Sequence, residues 1–469
     1  MSERKLNMNI FYQELLNIQG LEVEFIGNSQ IFKESIRGFS INSKTIQPDE
    51  IFVAIKGDNF DGHKFVGEVI ENGNEINVVS RQWYQENGKQ FFRGNFFIVK
   101  NTLTALQKIS QYYRLKFDIP VLAITGSNGK TTTKEMVSAV LETKLNVLKN
   151  PGNLNNHIGV PLTLFSLNEN QDIAVTEMGA NHKGEIAALA EIAQPDYGLI
   201  TNIGPAHLEF FGSLEGVFQA KSELWSFLEK NSGCAFVNVD DPFLAVNIPA
   251  AKKVVKYGFE NDADVTGKLL NIDEQGRAAF LVAGEEIKLK IAGVHNINNA
   301  LAAFVVGREL GIEPEKIKHV LENFEPADKR MEIVKIKGLR IVNDCYNSNP
   351  ASARKAIQTI SQMQTNSNRI AVLGDMFELG ELSEKEHGVI GEYIADFKNI
   401  NYLVTIGKYS EFTSKAAEES GMQNVLHFEK KDELVKYLKS ICKFDDIILI
   451  KGSRGMKMEE VTKGLMAIL

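Results

Sequence analysis

The sequence predicts an α/β protein built from three domains. The chain has 469 residues, which is too long for one ordinary domain. Strand-like apolar runs alternate with helix-like stretches in two series, which begin near residues 118 and 328. This alternation predicts mostly parallel sheets with ligand sites at the carboxyl ends of their strands. We therefore predict domains at 1–117, 118–327 and 328–469, of which the last is a smaller, Rossmann-like doubly wound domain.

The composition narrows the class of protein. A hydrophobic content of 43% and a charged content of 24% are typical of soluble globular proteins. The net charge of −8 argues against a general nucleic-acid binder, which would carry a basic surface. No apolar run approaches the ~18 residues of a membrane span, and no signal core follows the charged N-terminus. The three cysteines are far apart, which indicates a reducing cytoplasm and neither a disulfide framework nor a zinc site.

The individual elements follow from apolar periodicity. The first domain is expected to contain strands at 51–55 and 96–99 and an amphipathic helix at 103–117. In the central domain we predict helices at 132–141 and 216–228 and strands at 121–124, 173–176, 198–202 and 235–239. The third domain is expected to have strands at 339–343, 370–373, 402–406 and 446–450.

A glycine-rich loop between the first central strand and its helix predicts a nucleotide site. Gly126 and Gly129 allow a tight turn whose N–H groups can face a phosphate, next to the positive end of the helix. Lys130 can reach the outer phosphates, and the Thr131 hydroxyl can bind magnesium. An ordinary strand-to-helix turn is the alternative, because the glycine spacing is shorter than in the standard phosphate loop. The predicted nucleotide-binding residues here are Gly126, Ser127, Asn128, Gly129, Lys130, Thr131 and Thr132.

Two further residues in the central domain are candidate metal ligands. Glu177 ends an apolar strand, and a carboxylate there suits magnesium, which prefers hard oxygen donors. His207 follows a strand and a Gly-Pro turn. Either side chain could instead have an ordinary structural role. Glu177 could be a solvated residue at a strand end, and His207 could cap a helix or fill a polar cavity. Lys221 lies on the predicted helix at 216–228, and pattern alone makes it a surface charge.

Other polar clusters extend the candidate site. Asn296 and Asn299 share a helical face, and their amides suit an adenine edge, although an N-cap followed by an ordinary polar face fits equally well. In the third domain, strand-end loops at 343–350, 374–380 and 451–455 lie on one edge of the predicted sheet. That position favours a binding face, with ordinary turn chemistry as the alternative.

These motifs resemble those of the Mur ligases, ATP-dependent enzymes that form amide bonds in bacterial peptidoglycan synthesis. The loop at 125–132 is similar to the nucleotide loop of the family, and the segment at 153–161 resembles its loop for a nucleotide-sugar substrate. Segments 42–54 and 61–65 resemble the uridine-binding domain of the two later ligases. The three strand-end loops of the third domain look like those of the member that adds D-Ala-D-Ala.

The resemblance implies roles for individual residues. Glu177 and His207 match magnesium-site positions, and Lys221 matches a lysine that relatives carry as a carbamate. The implied magnesium ligands are Thr131, Glu177, His207 and Lys221, and the implied catalytic residues are Lys130, His207, Lys221 and Arg330. The implied nucleotide contacts also include Asn296, Asn299, Arg330, Asp344 and Tyr346, and the implied substrate contacts are Ser43, Lys44, Asn155 and Asn156. Lys44 stands where relatives carry arginine, and a lysine cannot copy a bidentate guanidinium.

The resemblance also implies the reaction. A carboxylate of UDP-MurNAc-tripeptide would attack the γ-phosphate of ATP, and the amine of D-Ala-D-Ala would then attack the acyl phosphate. ATP and Mg²⁺ are the implied cofactors, and we expect a monomer that acts in the cytoplasm. One alternative is another ligase of the superfamily, such as a folylpolyglutamate-type enzyme, against which the uridine-like first domain argues. The other is a catalytically silent relative, which should lack one of Lys130, Glu177, His207 and Lys221. The third residue of the tripeptide, lysine or diaminopimelate, is left open.

Overall fold

The computed structural model describes residues 8–57, 60–325 and 331–468. The chain divides into two compact units, one comprising Met1–Ala123, Leu145–Gly179 and Glu185–Tyr197, and the other comprising Ile124–Lys144, Ala180–Gly184 and Gly198–Leu469. The predicted α/β class is confirmed, because helices alternate with mostly parallel strands. The domain boundaries at 117/118 and 327/328 stay predictions, and the second of them lies outside the described residues.

The strands of the described residues form three sheets. The first has the order β1-β5-β4-β3-β2 and pairs in parallel except at β1, which is antiparallel to β5. Its strands are β1 (Val23–Ile26), β2 (Phe39–Ser40), β3 (Ile51–Val53), β4 (Ile76–Ser80) and β5 (Asn95–Val99). The side chains of β5 are all buried, as expected for a strand covered on both faces.

The second sheet contains the predicted nucleotide loop, directly after its strand β6. Its strands are β6 (Val121–Thr125), β7 (Val147–Lys149), β8 (Ile173–Glu177), β9 (Tyr197–Ile200), β10 (Cys234–Asn238), β11 (Lys253–Gly258), β12 (Val265–Ile272), β13 (Arg277–Val282) and β14 (Glu285–Ala292). Their order is β14-β13-β12-β11-β10-β9-β6-β8-β7. Strands β12 to β14 form an antiparallel extension that the sequence patterns did not predict.

The third sheet matches the predicted doubly wound pattern. Its strands are β15 (Glu332–Ile336), β16 (Leu339–Asp344), β17 (Arg369–Gly374), β18 (Tyr402–Ile406), β19 (Val425–Phe428) and β20 (Ile447–Lys451), in the order β15-β16-β20-β17-β18-β19. All neighbours pair in parallel except β15, which is antiparallel to β16. Apolar residues of these strands and of the helices beside them make a continuous core that includes Ile341, Val372, Val404 and Ile450.

Helices cover or connect these sheets. The helices before the third sheet are α1 (Val66–Glu71), α2 (Arg81–Asn87), α3 (Thr102–Arg114), α4 (Lys130–Leu141), α5 (Gly159–Leu164), α6 (Glu185–Ala193), α7 (Leu208–Phe211), α8 (Leu214–Lys221), α9 (Glu223–Lys230), α10 (Pro242–Val246), α11 (Asn296–Glu309) and α12 (Pro314–Asn323). Those that follow are α13 (Pro350–Gln362), α14 (Ser383–Ala395), α15 (Ser410–Glu419), α16 (Lys431–Ile441) and α17 (Glu459–Ile468). Short 3₁₀ helices lie at Tyr12–Asn17, Ser29–Lys33, Gly62–Phe65, Gly88–Gln90, Gly380–Leu382 and Arg454–Met456.

The single helix predicted at 216–228 is wrong, because two helices occupy this stretch. Helix α8 ends at Lys221 and α9 begins at Glu223. The Ser222 hydroxyl donates to the carbonyl of Gln219 at 3.2 Å, a local bond that competes with regular helical geometry. None of the helices among the described residues combines the length and the apolar character needed to cross a bilayer.

Candidate active site

The loop after β6 adopts a conformation that only glycine accommodates at two positions. Gly126 has φ = 144° and Gly129 has φ = 81°. A Cβ at Gly126 would overlap the Thr201 hydroxyl, and a Cβ at Gly129 would lie 2.5 Å from Asn299 Oδ1. Both glycines are therefore required by the close packing around the loop as well as by its backbone angles.

Neighbouring strand ends hold this loop in place. The Ser127 N–H donates to the Asn202 carbonyl at 2.9 Å, and the Asn128 N–H donates to Asn202 Oδ1 at 3.1 Å. In return, the Thr201 hydroxyl donates to the Asn128 carbonyl at 2.6 Å, and Ser127 Oγ donates to the Gly204 carbonyl at 2.9 Å. The N–H groups of Ser127 and Asn128 are thus used inside the protein, although the sequence suggested that consecutive N–H groups would face a phosphate.

Lys130 lies over the loop that it follows. Its Nζ donates to the carbonyl of Gly126 at 2.8 Å and to that of Ser127 at 3.3 Å. Lys130 is also the first residue of α4, so the ammonium group and the positive helix end both favour an anion at this point. Thr131 and Thr132 follow in the first turn and are half-buried.

Asn296 and Asn299 form a buried amide network beneath the loop. Asn299 Nδ2 donates to Asn296 Oδ1 at 2.9 Å, and Asn296 Nδ2 donates to the Ala292 carbonyl at 2.8 Å. Asn299 Oδ1 accepts from the Thr133 hydroxyl at 3.2 Å. These bonds tie α11 to α4. The predicted adenine contacts of the two residues stay predictions.

His207 and Lys221 both contact the Phe211 ring. The His207 ring lies edge-on to that ring at a centroid distance of 6.4 Å, and Lys221 Nζ lies 5.9 Å from its centroid. The side chain of Lys221 is buried, unlike the surface lysine that pattern alone favoured. Burial lowers the pKa of Lys221 well below its usual value, and the like charge of Lys130 lowers it further. A neutral amine is the form of lysine that can react with CO₂.

His207 is also paired with a carboxylate from the loop after β17. Its Nδ1 lies 2.7 Å from Glu378 Oε2. The adjacent His207 imidazole lowers the pKa of Glu378, against the opposing effect of burial. The Glu209 N–H also donates to the Glu378 carbonyl, at 3.3 Å. The predicted binding face of the third domain includes this loop, but its sequence pattern predicted no role for Glu378.

Glu177 belongs to the other compact unit, where it lies at the carboxyl end of β8. Its side chain is buried, and its Oε1 accepts from Asn155 Nδ2 at 2.8 Å. The Glu177 N–H donates to Asn150 Oδ1 at 2.8 Å. Asn156 Oδ1 accepts from the N–H groups of Ile158 and Gly159 at 3.1 and 2.8 Å, which fixes the start of α5. One predicted metal ligand and one predicted substrate residue, Asn155, are therefore in direct contact.

The predicted uridine contacts lie in the same unit, in the turn after β2. Ser43 is half-buried and Lys44 is exposed. The Lys44 N–H donates to Asn42 Oδ1 at 3.0 Å, a bond of the kind found in Asx turns. The turn presents the lysine side chain to solvent, and its contact with a nucleotide stays a prediction.

In the third domain, Asp344 is held by a buried lysine. Lys451 Nζ lies 2.6 Å from Asp344 Oδ2 and donates to the Asn347 carbonyl at 2.9 Å. The guanidinium of Arg454 lies 5.9 Å from the centroid of the half-buried Tyr346 ring. Lys451 is the last residue of β20 and Arg454 follows that strand, so two of the predicted strand-end loops meet around the predicted nucleotide contacts.

The N-terminus of α13 touches the phosphate loop. Asn349 Nδ2 donates to Asn128 Oδ1 at 2.9 Å, across 221 residues of sequence. Asn349 Oδ1 also accepts from the Ser352 N–H at 2.9 Å, and Ser352 Oγ accepts from the Asn349 N–H at 3.0 Å, which completes a capping box. Arg330, the predicted catalytic arginine, lies outside the described residues.

The donor chemistry fits a magnesium ion that shares its coordination with phosphates. Within the parts of the chain that the structure describes, no three His, Cys, Asp or Glu side chains form a group able to hold a metal alone. Magnesium keeps several waters and is usually bound through one or two carboxylates plus substrate phosphates, so it needs no closed protein cage. Of the predicted ligands, Thr131, His207 and Lys221 belong to one compact unit and Glu177 to the other, and a shared ion stays a prediction.

The residues that support the candidate ligands were not predicted from the sequence. Thr201, Asn202 and Asn349 hold the phosphate loop, and Glu378 holds His207. Asn349 and Glu378 lie in the predicted strand-end loops at 343–350 and 374–380, and Thr201 and Asn202 lie at the end of the strand predicted at 198–202. The sequence patterns could therefore have drawn attention to these residues. Their pairing with partners from distant segments is visible only in the folded structure.

Models of known protein families match most of the chain. Three family models match: the Mur ligase family catalytic domain at 35–114, the Mur ligase middle domain at 124–307, and the Mur ligase glutamate ligase domain at 329–454. A Bacillus subtilis protein named UDP-N-acetylmuramoyl-tripeptide–D-alanyl-D-alanine ligase is 36% identical over 453 residues, which cover 96% of this chain and 97% of that protein. The chain belongs to the Mur ligase family. The predicted family resemblance is thereby confirmed.

Other Mur ligases are also similar to this chain in sequence and in structure. The Escherichia coli protein of the same name is 35% identical over 433 residues, 90% of this chain and 92% of that relative. A crystal structure of MurF from Acinetobacter baumannii superposes with a TM-score of 0.87 at 31% identity and covers 97% of this chain and 98% of that one. A MurF ligase from Thermotoga maritima in complex with ADP gives a TM-score of 0.80 at 29% identity and covers 92% and 97% of the two chains.

Proposed function

We propose that this Mur ligase joins D-alanyl-D-alanine to UDP-N-acetylmuramoyl-tripeptide at the expense of ATP, in the synthesis of peptidoglycan precursors. The observation that carries the proposal is the match to ligases of this name along nearly the whole chain. The Thermotoga maritima relative, whose structure contains ADP, supports the choice of an adenine nucleotide. We further propose that the enzyme works as a monomer in the cytoplasm.

The reaction has two chemical steps. The terminal carboxylate of the tripeptide attacks the γ-phosphorus of ATP, and the bond to the β-phosphate oxygen breaks to release ADP and leave an acyl phosphate. The free amine of D-Ala-D-Ala then attacks the acyl carbon, loses a proton and expels inorganic phosphate. Both steps depend on positioning and on neutralising charge, so the protein's contribution is electrostatic.

The phosphate loop supplies the charge near the transferred group. Lys130 and the start of α4 would bind the outer phosphates of ATP, and Arg330 would add a second cation. Asn296, Asn299, Asp344 and Tyr346 would contact the rest of the nucleotide. Ser43, Lys44, Asn155 and Asn156 would bind the UDP-sugar. The glycine geometry of the loop and the folded position of Lys130 support the nucleotide part of this assignment.

Thr131, Glu177, His207 and a carbamate on Lys221 would hold Mg²⁺, directly or through water. The ion would supply Lewis-acid neutralisation of the phosphate oxygens. A carbamate replaces a cation by an anionic oxygen donor, which suits magnesium. The burial of Lys221 and the depression of its pKa support this modification, because a neutral amine is needed to form it.

The test is phosphate release by the purified protein with ATP, Mg²⁺ and UDP-MurNAc-tripeptide, with and without D-Ala-D-Ala. We expect sustained release only when all substrates are present, together with a pentapeptide product identified by mass. Parallel reactions with the lysine and the diaminopimelate tripeptides will define the third residue. Binding of ATP without release under either tripeptide would contradict the proposal and favour another acceptor or a silent relative.

A further inference from the structure

Glu378 and His207 come from distant parts of the chain and lie side by side. Both residues have an unfavourable backbone conformation. His207 has φ = 54° and Glu378 has φ = 64°, which place two residues with side chains in the left-handed region. Such residues persist only where surrounding contacts impose them, and they concentrate at functional sites. The Glu209 N–H donates to the Glu378 carbonyl at 3.3 Å, so backbone and side chain both join the two segments.

The loop before Glu378 is firmly built. Asp375 Oδ1 accepts from the Ser410 N–H at 2.7 Å, His387 Nε2 accepts from the Met376 N–H at 3.0 Å, and Ser453 Oγ accepts from the Phe377 N–H at 2.8 Å. Three consecutive residues are thus fixed by groups from other elements. The Glu378 carboxylate therefore reaches His207 from a rigid support.

Stability does not explain this contact. The side chains of His207 and Glu378 are 25% and 45% exposed, and ion pairs with that access to water add little to folding free energy. The pairing does have a chemical consequence, because it places a carboxylate oxygen 2.7 Å from Nδ1 of the imidazole. A negative charge this close to Nδ1 favours a proton on Nδ1 over one on Nε2, which leaves Nε2 as the lone-pair donor.

We propose that Glu378 is a positioning residue for the metal site, which orients the His207 ring and selects its Nδ1-protonated tautomer, so that Nε2 faces the Mg²⁺ ion or its bound water. This inference rests on the proposed function for the metal site. Because Glu378 follows β17 and His207 follows β9, the carboxylate also ties a loop of the glutamate ligase domain to the magnesium site of the middle domain. The site is then complete only while these two segments are in contact.

The test compares metal binding by the full-length protein and its variants in the presence of ADP. Mn²⁺ is the probe, and its binding is followed by electron paramagnetic resonance, which requires no turnover. Outer partners of metal-binding histidines typically contribute about 10-fold or more to metal affinity. We expect Glu378→Ala to weaken Mn²⁺ binding by about this factor and Glu378→Gln, which keeps a hydrogen-bond acceptor, to recover part of it.

Two further variants separate positioning from folding. Glu378→Gly removes the carboxylate but favours the left-handed backbone, so it should fold at least as well as Glu378→Ala and bind Mn²⁺ as poorly. Glu381→Ala removes an exposed carboxylate from the same loop and should leave Mn²⁺ binding unchanged. Nitrogen NMR of labelled histidine should show His207 protonated at Nδ1 in the unmodified protein and a mixture of tautomers in Glu378→Ala.

Unchanged or tighter Mn²⁺ binding by both Glu378→Ala and Glu378→Gly would overturn the inference, since the carboxylate would then be irrelevant to the metal or would compete with it. The proposed function fails separately, through the absence of D-Ala-D-Ala-dependent phosphate release by the unmodified protein. The ratio of Mn²⁺ affinities does not depend on that assay.

Discussion

At the scale of single residues, Lys130 makes the sharpest prediction. Its ammonium group lies on the phosphate loop, bonded to the carbonyls of Gly126 and Ser127, and we expect it to neutralise charge on the transferred phosphoryl group. Removing one preorganised electrostatic group typically reduces kcat by about 10²–10³-fold. We expect Lys130→Ala to lose phosphate release to at least this extent while its thermal unfolding midpoint stays within a few degrees. Near-normal turnover would place the nucleotide elsewhere.

Gly126 allows a second test at the same scale. An alanine there needs a φ that is open essentially only to glycine, and its methyl group would overlap the Thr201 hydroxyl. We expect Gly126→Ala to lower the free energy of unfolding by about 2 kcal/mol or more and to impair ATP binding. Gly421 also has a left-handed φ, of 90°, but no atom within 4 Å of the added methyl. Gly421→Ala should therefore cost about 1 kcal/mol and leave ATP binding intact, as chemical denaturation and nucleotide titration would show.

Among the elements, helix α13 has a cap residue that makes two kinds of contact. Asn349 caps the helix through Oδ1 and reaches Asn128 through Nδ2. Aspartate keeps the capping oxygen but loses the donor to Asn128. We expect Asn349→Asp to retain full stability and to raise the KM for ATP several-fold, whereas Asn349→Ala should also lose about 1 kcal/mol of stability. Equal stability losses in the two variants would contradict this division of roles.

Within the first compact unit, Glu14 links the 3₁₀ helix at Tyr12–Asn17 to α3 and the residues just after it. Burial raises the pKa of Glu14, but hydrogen bonds from Lys116 at 2.6 Å and from Tyr112 at 2.6 Å outweigh it, so the pKa lies below its ordinary value. A lowered pKa means that the ionised form stabilises the fold. This contribution is present above the unfolded pKa and is lost as the pH falls through the folded one.

We therefore expect Glu14→Gln to be less stable than the unmodified protein by about 1 kcal/mol at neutral pH. The difference should shrink progressively below the ordinary glutamate pKa of 4.5. Urea unfolding at several pH values measures it, and a difference that stays constant down to acid pH would exclude the charge as its cause.

Short contiguous elements are easier to predict from the sequence than contacts between residues that are far apart in the chain. The loop at 125–132 and strands β6, β8 and β18 were predicted because short contiguous patterns determine them. The break at Ser222 was missed, since one hydroxyl interrupts an otherwise continuous helical pattern. The contacts of Asn128 with Asn349 and of His207 with Glu378 join strand-end loops from different sheets, and apolar periodicity carries no information about such pairs.

At the scale of the whole molecule, the fold gathers segments that are remote in sequence around the phosphate loop. Hydrogen bonds join residues 127–128 to Thr201, Asn202, Gly204 and Asn349. We expect ADP with Mg²⁺ to slow amide hydrogen exchange together in 126–133, 201–207 and 344–352. The segment 11–17, which belongs to the other compact unit, serves as the reference and should exchange at an unchanged rate. Protection confined to 126–133 would mean that the third domain does not respond to the nucleotide.

The hydrogen bonds of the Lys130 ammonium to its own loop have a thermodynamic consequence. The carbonyl oxygens of Gly126 and Ser127 accept from this cation as phosphate oxygens would, so they play the part of the ligand's own oxygens. An incoming triphosphate would exchange one set of charge-assisted hydrogen bonds of Lys130 for another. Calorimetry should then find that Lys130 contributes only a modest net enthalpy to binding, because bonds of similar strength are lost and gained.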